Sequence, residues 1–373
     1  MCLAFSRSCV RLAGILTAVC LLASCGRTAE TPKIGCAFPT GTDGPKVIRL
    51  LQQEIDAWQQ PRLVEIVTGR SDRGTMNASD EVSVAGRLAS TPGMLAVVGH
   101  QSSRAALLVA PIYTEAGLPF LVPTGTSRRL QELGPLVFPL VPDEDAEGTF
   151  IADFIAGRIH ARRVTVFYLN ADEYGTGLRD SVARALGTHG IELVDQSGVL
   201  PDSDMTRLVN ASLARAVPDA AVLAVRTDQA RQLIVALHGR LPGLPVVAGD
   251  GTQLTTPFIT AIGASTASVS TVAFWHRSMD NGTSRAFVQR AAAAGIMHVD
   301  EMTAMMYDGL KVLAQAIGEV GADPAGIARY LRALGDSRPA FDGLTGPLTF
   351  GPKRTPHMLM MRAVDGHAVI AVP

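Results

Sequence analysis

The residues best suited to chemistry fall in short polar loops that follow apolar runs. After Met94–Gly99 come His100, Gln101, Ser102 and Ser103, and after Pro119–Val122 come Thr124, Gly125 and Thr126. Hydroxyls and free backbone N–H groups at the start of a helix make a seat for a carboxylate, although a serine there serves equally well as an N-cap. Farther along, Arg163–Leu169 runs into Asp172, Glu173 and Tyr174, Ala220–Val225 ends at Arg226, and Pro245–Ala248 ends at Asp250 between Gly249 and Gly251. Asp250 can accept hydrogen bonds from an ammonium group, a charge-assisted contact of about 1.5–3 kcal/mol; between glycines it also reads as a turn residue. Tyr174 can stack on a ligand or close a helix end, and Arg226 can grip an acidic group or pair with Asp228 or Asp250.

Patterns for bond-breaking chemistry do not assemble. There is no G-x-S-x-G elbow, and none of the eight histidines falls at H-E-x-x-H or at paired helical spacing. His100 beside Ser102 and Ser103 is the best nucleophile-base candidate, and no orienting acid is near it in the sequence. Gly41-Thr42-Asp43-Gly44 lacks the lysine and spacing of a phosphate loop. The expectation is a protein that is not an enzyme, with no catalytic residue, metal or cofactor. With 33 Lys+Arg against 34 Asp+Glu, the net charge of −1 gives no footprint for nucleic acid.

The elements that must position these loops alternate in kind. Candidate strands are Lys33–Phe38, Leu63–Thr68, Met94–Gly99, Pro119–Val122, Arg163–Leu169, Ala220–Val225, Pro245–Ala248 and Ser268–Trp275. Between them, Val47, Ile48, Leu51, Ile55 and Trp58, and again Phe150, Ile151, Phe154, Ile155 and Ile159, repeat at the spacing of one helix face. Helices dominate from Ser284 to Leu334, and two late strands lie near Met358–Ala363 and Ala368–Val372. Such alternation predicts an α/β fold with parallel sheets covered on both faces, in which ligands bind beyond the carboxyl ends of the strands. At 373 residues with 47% hydrophobic and 18% charged side chains, the chain exceeds the ~250–300 residues that one core usually serves. The strand–helix layout occurs twice, with crossing points at Pro139–Asp143, Trp275–Arg277 and Asp342–Gly346.

Residues 1–25 read as a secretory leader: Arg7 and Arg11, an apolar run from Leu12 to Leu22, then Leu22-Ala23-Ser24-Cys25. That tetrad resembles the lipobox of bacterial lipoproteins, which implies lipidation of Cys25 and a membrane-tethered, exported protein, periplasmic or at the cell surface. With Cys2, Cys9 and Cys20 in the leader and Cys25 carrying lipid, Cys36 is the remaining thiol, and no internal disulfide is expected.

Several segments together resemble the type I periplasmic solute-binding proteins, and more narrowly the branched-chain amino acid (Leu/Ile/Val) receptors of ABC transporters. They are Val97-Val98-Gly99-His100-Gln101-Ser102-Ser103, Ala110 to Pro119, Pro123-Thr124-Gly125-Thr126, Ile34-Gly35 with Pro39-Thr40-Gly41, Tyr174-Gly175-Thr176-Gly177-Leu178, Tyr307-Asp308-Gly309 and Phe341 to Gly346. The resemblance implies two Rossmann-like lobes with parallel central sheets, three interlobe crossovers and a ligand closed between them. The lobes would be 33–141 plus 277–342, and 142–276 plus 343–373. It implies that Ser103 and Thr126, with backbone groups near Ser102 and Thr124, hold an α-carboxylate, that Asp250 holds the α-ammonium, and that Tyr174 covers the ligand. Arg226, Glu301 and Met302 depart from the family pattern, so an amino-acid-like ligand is expected and its side chain is left open. The expected partners are this small ligand, an ABC permease and, through lipid, a membrane; a monomer is expected. The alternative is a sensor of the same fold for an amide, dicarboxylate or aromatic acid, uncoupled from transport.

Overall fold

The computed structural model describes residues 30–37, 43–58, 64–69, 77–350 and 357–372. The leader, the lipobox Cys25, Phe38 to Gly41 and Leu63 lie outside the described residues.

Short, largely apolar runs form the strands of the first sheet, the central ones buried on both faces. β1 (Lys33–Ala37) lies between β2 (Glu65–Thr68) and β3 (Met94–Gly99), and β4 (Phe120–Val122) and β5 (Val137–Pro139) extend the sheet in the order β2-β1-β3-β4-β5, every pair parallel. All six residues of β3 are buried, as expected of a parallel strand covered on both sides. Cys36 lies in β1, 1% exposed, and packs as a small apolar residue.

A second sheet follows the same logic with an antiparallel extension. β6 (Arg163–Leu169), β7 (Glu192–Val199), β8 (Ala220–Ala224), β9 (Val246–Ala248) and β10 (Val269–Ala273) are mutually parallel. After a short hairpin of β11 (Phe341–Gly343) and β12 (Gly346–Leu348), β13 (Leu359–Val364) adds antiparallel to β10 and β14 (His367–Val372) adds antiparallel to β13. The order is β14-β13-β10-β9-β8-β6-β7.

Helices cover the sheets through the faces read from the sequence. Val47, Leu51 and Ile55 of helix Gly44–Trp58 are fully buried, as are Ile151 and Ile155. The helix Glu144–Phe154 continues as a wider turn, Ile155–Ile159, which His160 ends in the left-handed conformation, φ 59°. Helix Glu301–Val320 is buried along most of its length, Ala304 to Ile317. Among the described residues, no helix is long and apolar enough to cross a membrane.

Some strand boundaries differ from expectation. β10 ends at Ala273, so Phe274 and Trp275 already belong to the connection that follows, and β8 ends one residue before Val225. β7 was not anticipated because Glu-Leu-Val-Asp-Gln-Ser-Gly-Val carries polar residues at an exposed sheet edge, where no apolar run is required. β5 is only three residues long and contains Pro139.

Candidate ligand-binding site

The strand-end loops meet at a cleft of about 450 Å³. Gln101 and Thr124 line it from the loops after β3 and β4; Arg226, Thr227, Asp228, Asp250, Gly251, Gln253 and Phe274 line it from the ends of β8, β9 and β10. Glu301, Met302 and Met305, from the first turns of helix Glu301–Val320, complete the wall. A second recess of about 660 Å³ shares Gln253 and Glu301 with this cleft and adds Trp275, His276 and His298.

The two serine and threonine loops engage each other before they engage anything else. Ser103 is 3% exposed, and its Oγ accepts the backbone N–H groups of Thr126 and Ser127, both at 3.1 Å. Ser102 is the N-cap of helix Ser103–Glu115, accepting from Ala105 N at 3.2 Å. Thr124 donates to Gln101 O at 2.7 Å. Thr126 is 1% exposed and its carbonyl accepts from Glu144 N at 2.9 Å, which ties this loop to the first turn of helix Glu144–Phe154. Of the anticipated site residues, Thr124, Arg226 and Asp250 line the cleft, while Ser102, Ser103, Thr126 and Tyr174 stand behind its wall.

Tyr174 is placed differently from expectation. It is 2% exposed, its hydroxyl accepts from Gly251 N at 2.9 Å, and the Arg226 guanidinium covers its ring at 4.3 Å. Burial pushes its phenol well above the usual value, with Asp250 and Glu147 adding to the rise. Tyr174 is thus the platform beneath Arg226. Arg226 pairs with Asp172 at 3.6 Å, rather than with either of the anticipated partners, Asp228 and Asp250.

The glycines around Asp250 exist because the backbone presses on this platform. A Cβ on Gly251 would lie 2.7 Å from the Tyr174 ring, and one on Gly249 would lie 2.4 Å from Leu178 and 2.9 Å from Glu147. Only glycine permits that approach. It brings Asp250 N to Glu147 Oε1 at 2.8 Å.

Acid is concentrated behind and beside the cleft. Glu147 is fully buried and Glu144 is 4% exposed. Burial pushes the Glu144 carboxyl up to about 8, with Asp250 and Glu173 adding to it. Glu301, held by the backbone N–H of Phe274, is likewise pushed up to about 8, by burial against those N–H bonds and with Asp250 adding. Asp250 is raised by burial, opposed by Arg226, Tyr174 and Glu147. Sequence reasoning missed Glu144 and Glu147 because acids in the first turn of a helix already have an ordinary reason to be there. Their three-residue spacing, which puts both on one face, was the available signal.

His100 also departs from its reading. An acid does reach it: Glu81, far off in sequence, meets Nδ1, while Tyr113 Oη lies 3.0 Å from Nε2. The ring is fully buried beside Phe120, with both nitrogens turned away from the serines to these partners. Among the described residues, no group of three or more His, Cys, Asp or Glu could hold a metal ion.

Two parallel-stranded α/β sheets with a cleft at their strand ends define a solute-binding architecture, and residues 72–365 match the periplasmic binding protein family. The chain belongs to that family. An amino acid binding protein from Pseudomonas aeruginosa is 27% identical over 266 residues, 68% of this chain and 67% of that one. A leucine binding protein from Thermotoga maritima superposes with a TM-score of 0.79 at 19% identity, covering 91% of this chain and 98% of the other. A solute binding protein of an ABC transporter from R. palustris, in complex with 4-hydroxybenzoate, superposes at 0.75 with 16% identity, covering 91% and 95%.

Proposed function

We propose that this chain is an exported lipoprotein, tethered through Cys25, that captures a small amino-acid-like ligand and delivers it to an ABC permease. The observation that carries this reading is the pairing, on one cleft, of Asp250 and Arg226 from one sheet with Thr124 and Gln101 from the other. Asp250 and Arg226 offer opposite charges to a zwitterion, and the two sheets would act as lobes, 33–141 plus 277–342 and 142–276 plus 343–373. Asp250 accepts the ammonium. The carboxylate lies toward Arg226, Thr124 and the loop that Ser102, Ser103 and Thr126 stiffen, with Tyr174 holding Arg226 in place. A ligand touching both walls makes contacts that an open form lacks, and this differential affinity drives closure. The amino acid binding relative supports an amino acid ligand, and the ABC transporter neighbour supports delivery to a permease. Binding without catalysis fits a fold in which His100, the histidine weighed as a base, has both ring nitrogens engaged by Glu81 and Tyr113.

Calorimetry against amino acids, amides, dicarboxylates and aromatic acids tests this. An amino acid should bind, and Asp250→Asn should weaken it about 10- to 100-fold, the loss of a charge-assisted bond of ~1.5–3 kcal/mol. Unchanged affinity in that variant removes Asp250 from the site. A second reading, an aromatic acid ligand, is favoured by Arg226 and Phe274 on the same wall and by the 4-hydroxybenzoate neighbour; binding of acids that lack an ammonium would select it.

A further inference from the structure

Asp250 and Glu147 present a problem of hydrogen-bond accounting. Glu147 Oε2 and Asp250 Oδ1 are both buried without a hydrogen-bond partner. The two side chains nevertheless lie within hydrogen-bonding reach of each other, held there by Asp250 N on Glu147 Oε1 at 2.8 Å. Two ionised carboxylates are acceptors only and repel. One proton between them supplies the missing donor and removes the repulsion.

We propose that Glu147 carries this proton and donates it to Asp250, making Glu147 the residue that positions the ligand's ammonium acceptor. The surroundings favour placing the proton on Glu147. Glu147 is fully buried on helix Glu144–Phe154, whereas Asp250 lines the cleft. Asp250 also faces the Arg226 guanidinium and the Tyr174 hydroxyl, both of which favour its ionised form. The other titratable groups around the pair are acidic: Glu144 on the same helix, Glu301 at the start of helix Glu301–Val320 facing Asp250 and, around Glu144, Glu173 and Asp143. Asp250 and, where it ionises, Glu144 make a negative charge at Glu147 less favourable. Tyr174 has its hydroxyl oxygen on Gly251 N, so its own hydrogen is free to turn to Asp250, which then accepts from both sides and keeps a fixed orientation toward the cleft.

The role of Asp250 as ammonium acceptor rests on the function proposed above; the shared proton does not, and the test separates them. Thermal unfolding of the ligand-free protein is followed from pH 5 to 8 for wild type, Glu147→Gln and Glu147→Ala. Glutamine supplies the donor permanently in the same shape, so Glu147→Gln should unfold at a higher temperature than wild type at pH 8 and vary less with pH. Superimposable pH dependence in wild type and Glu147→Gln overturns the proposal. Calorimetry with an amino acid from the panel then reads the positioning. Glu147→Gln should bind within about threefold of wild type, and Glu147→Ala about tenfold or more weakly. Equal affinity in Glu147→Ala overturns the positioning role. Unchanged affinity in Asp250→Asn sinks the ammonium assignment alone, because the unfolding result is obtained without ligand.

Discussion

Two aspartates, Asp308 in the core and Asp250 on the cleft wall, solve the same electrostatic problem in opposite ways. Asp308, fully buried in helix Glu301–Val320, accepts Leu344 N at 2.7 Å, Thr345 N at 2.9 Å and Thr345 Oγ1 at 2.8 Å, fastening the β11–β12 hairpin to the helix. Both of its oxygens are used, and Gly343 is a glycine because a Cβ there would sit 2.7 Å from Asp308 Oδ2. Asp250 keeps an unpartnered Oδ1, with Glu147 Oε2 and Glu144 Oε1 unpartnered nearby. Asp308 is saturated by its own chain, whereas Asp250, proposed above as the ammonium acceptor, keeps an oxygen that a ligand or a proton can fill. The two differ in unused acceptors as well as in exposure to the cleft.

The comparison can be broken most forcefully at the clamp. Asp308→Ala leaves buried N–H groups of the hairpin without an acceptor and should cost about 3 kcal/mol or more in urea unfolding, while the ligand affinity of the folded fraction changes little. A loss of affinity without a loss of stability would reverse the roles assigned to the two aspartates.

Acidity sharpens it next. Glu144 and Glu301 are pushed up to about 8, and Asp308 only to about 6. Each value is raised by burial above that of the unfolded chain, so each group contributes stability that is fully present below the unfolded value and is lost as pH rises through the folded one. The contribution of Asp308 is spent by about pH 6, so the decline between about pH 6 and 8 belongs to the cleft. Melting temperatures of the ligand-free protein should fall across that window, and Glu301→Gln should flatten the fall; an unchanged slope would detach Glu301 from it.

The smallest effect lies in the loop behind the cleft. Ser103→Ala removes the acceptor of the Thr126 and Ser127 N–H groups and should cost about 1–2 kcal/mol in stability, with a parallel loss of affinity if the stiffened loop serves the ligand. Loss of stability with affinity intact would confine Ser103 to the scaffold.

These contrasts also mark what the sequence could disclose. β3 and β6 were legible to the residue because each is a short continuous run rich in apolar and β-branched side chains, and the loops they feed were identified by position alone. Thr124, Arg226 and Asp250 followed from that rule. Partners brought in by the fold were not legible: Glu81 against His100, Asp172 against Arg226, and Glu147 against Asp250 each join residues from separate elements. Tyr307-Asp308-Gly309 and the segment from Phe341 to Gly346 were recognised as family features, yet only the folded chain explains why they occur together. Local patterning specifies elements and strand ends; which buried polar atoms remain unpaired is decided by contacts between elements.

The second sheet carries a consequence for the order in which the molecule is made. β10, at residues 269–273, pairs on one side with β9 and on the other with β13, at residues 359–364. The intervening chain first builds three helices, Gly282–Ala293, Glu301–Val320 and Pro324–Ala333, the second of which packs on β1 and β3 of the first sheet. During synthesis β10 therefore presents an open edge until its distant partner arrives, and closing so long a loop is slow. Completion of the second sheet therefore waits on β13 and β14, long after its five parallel strands have been made.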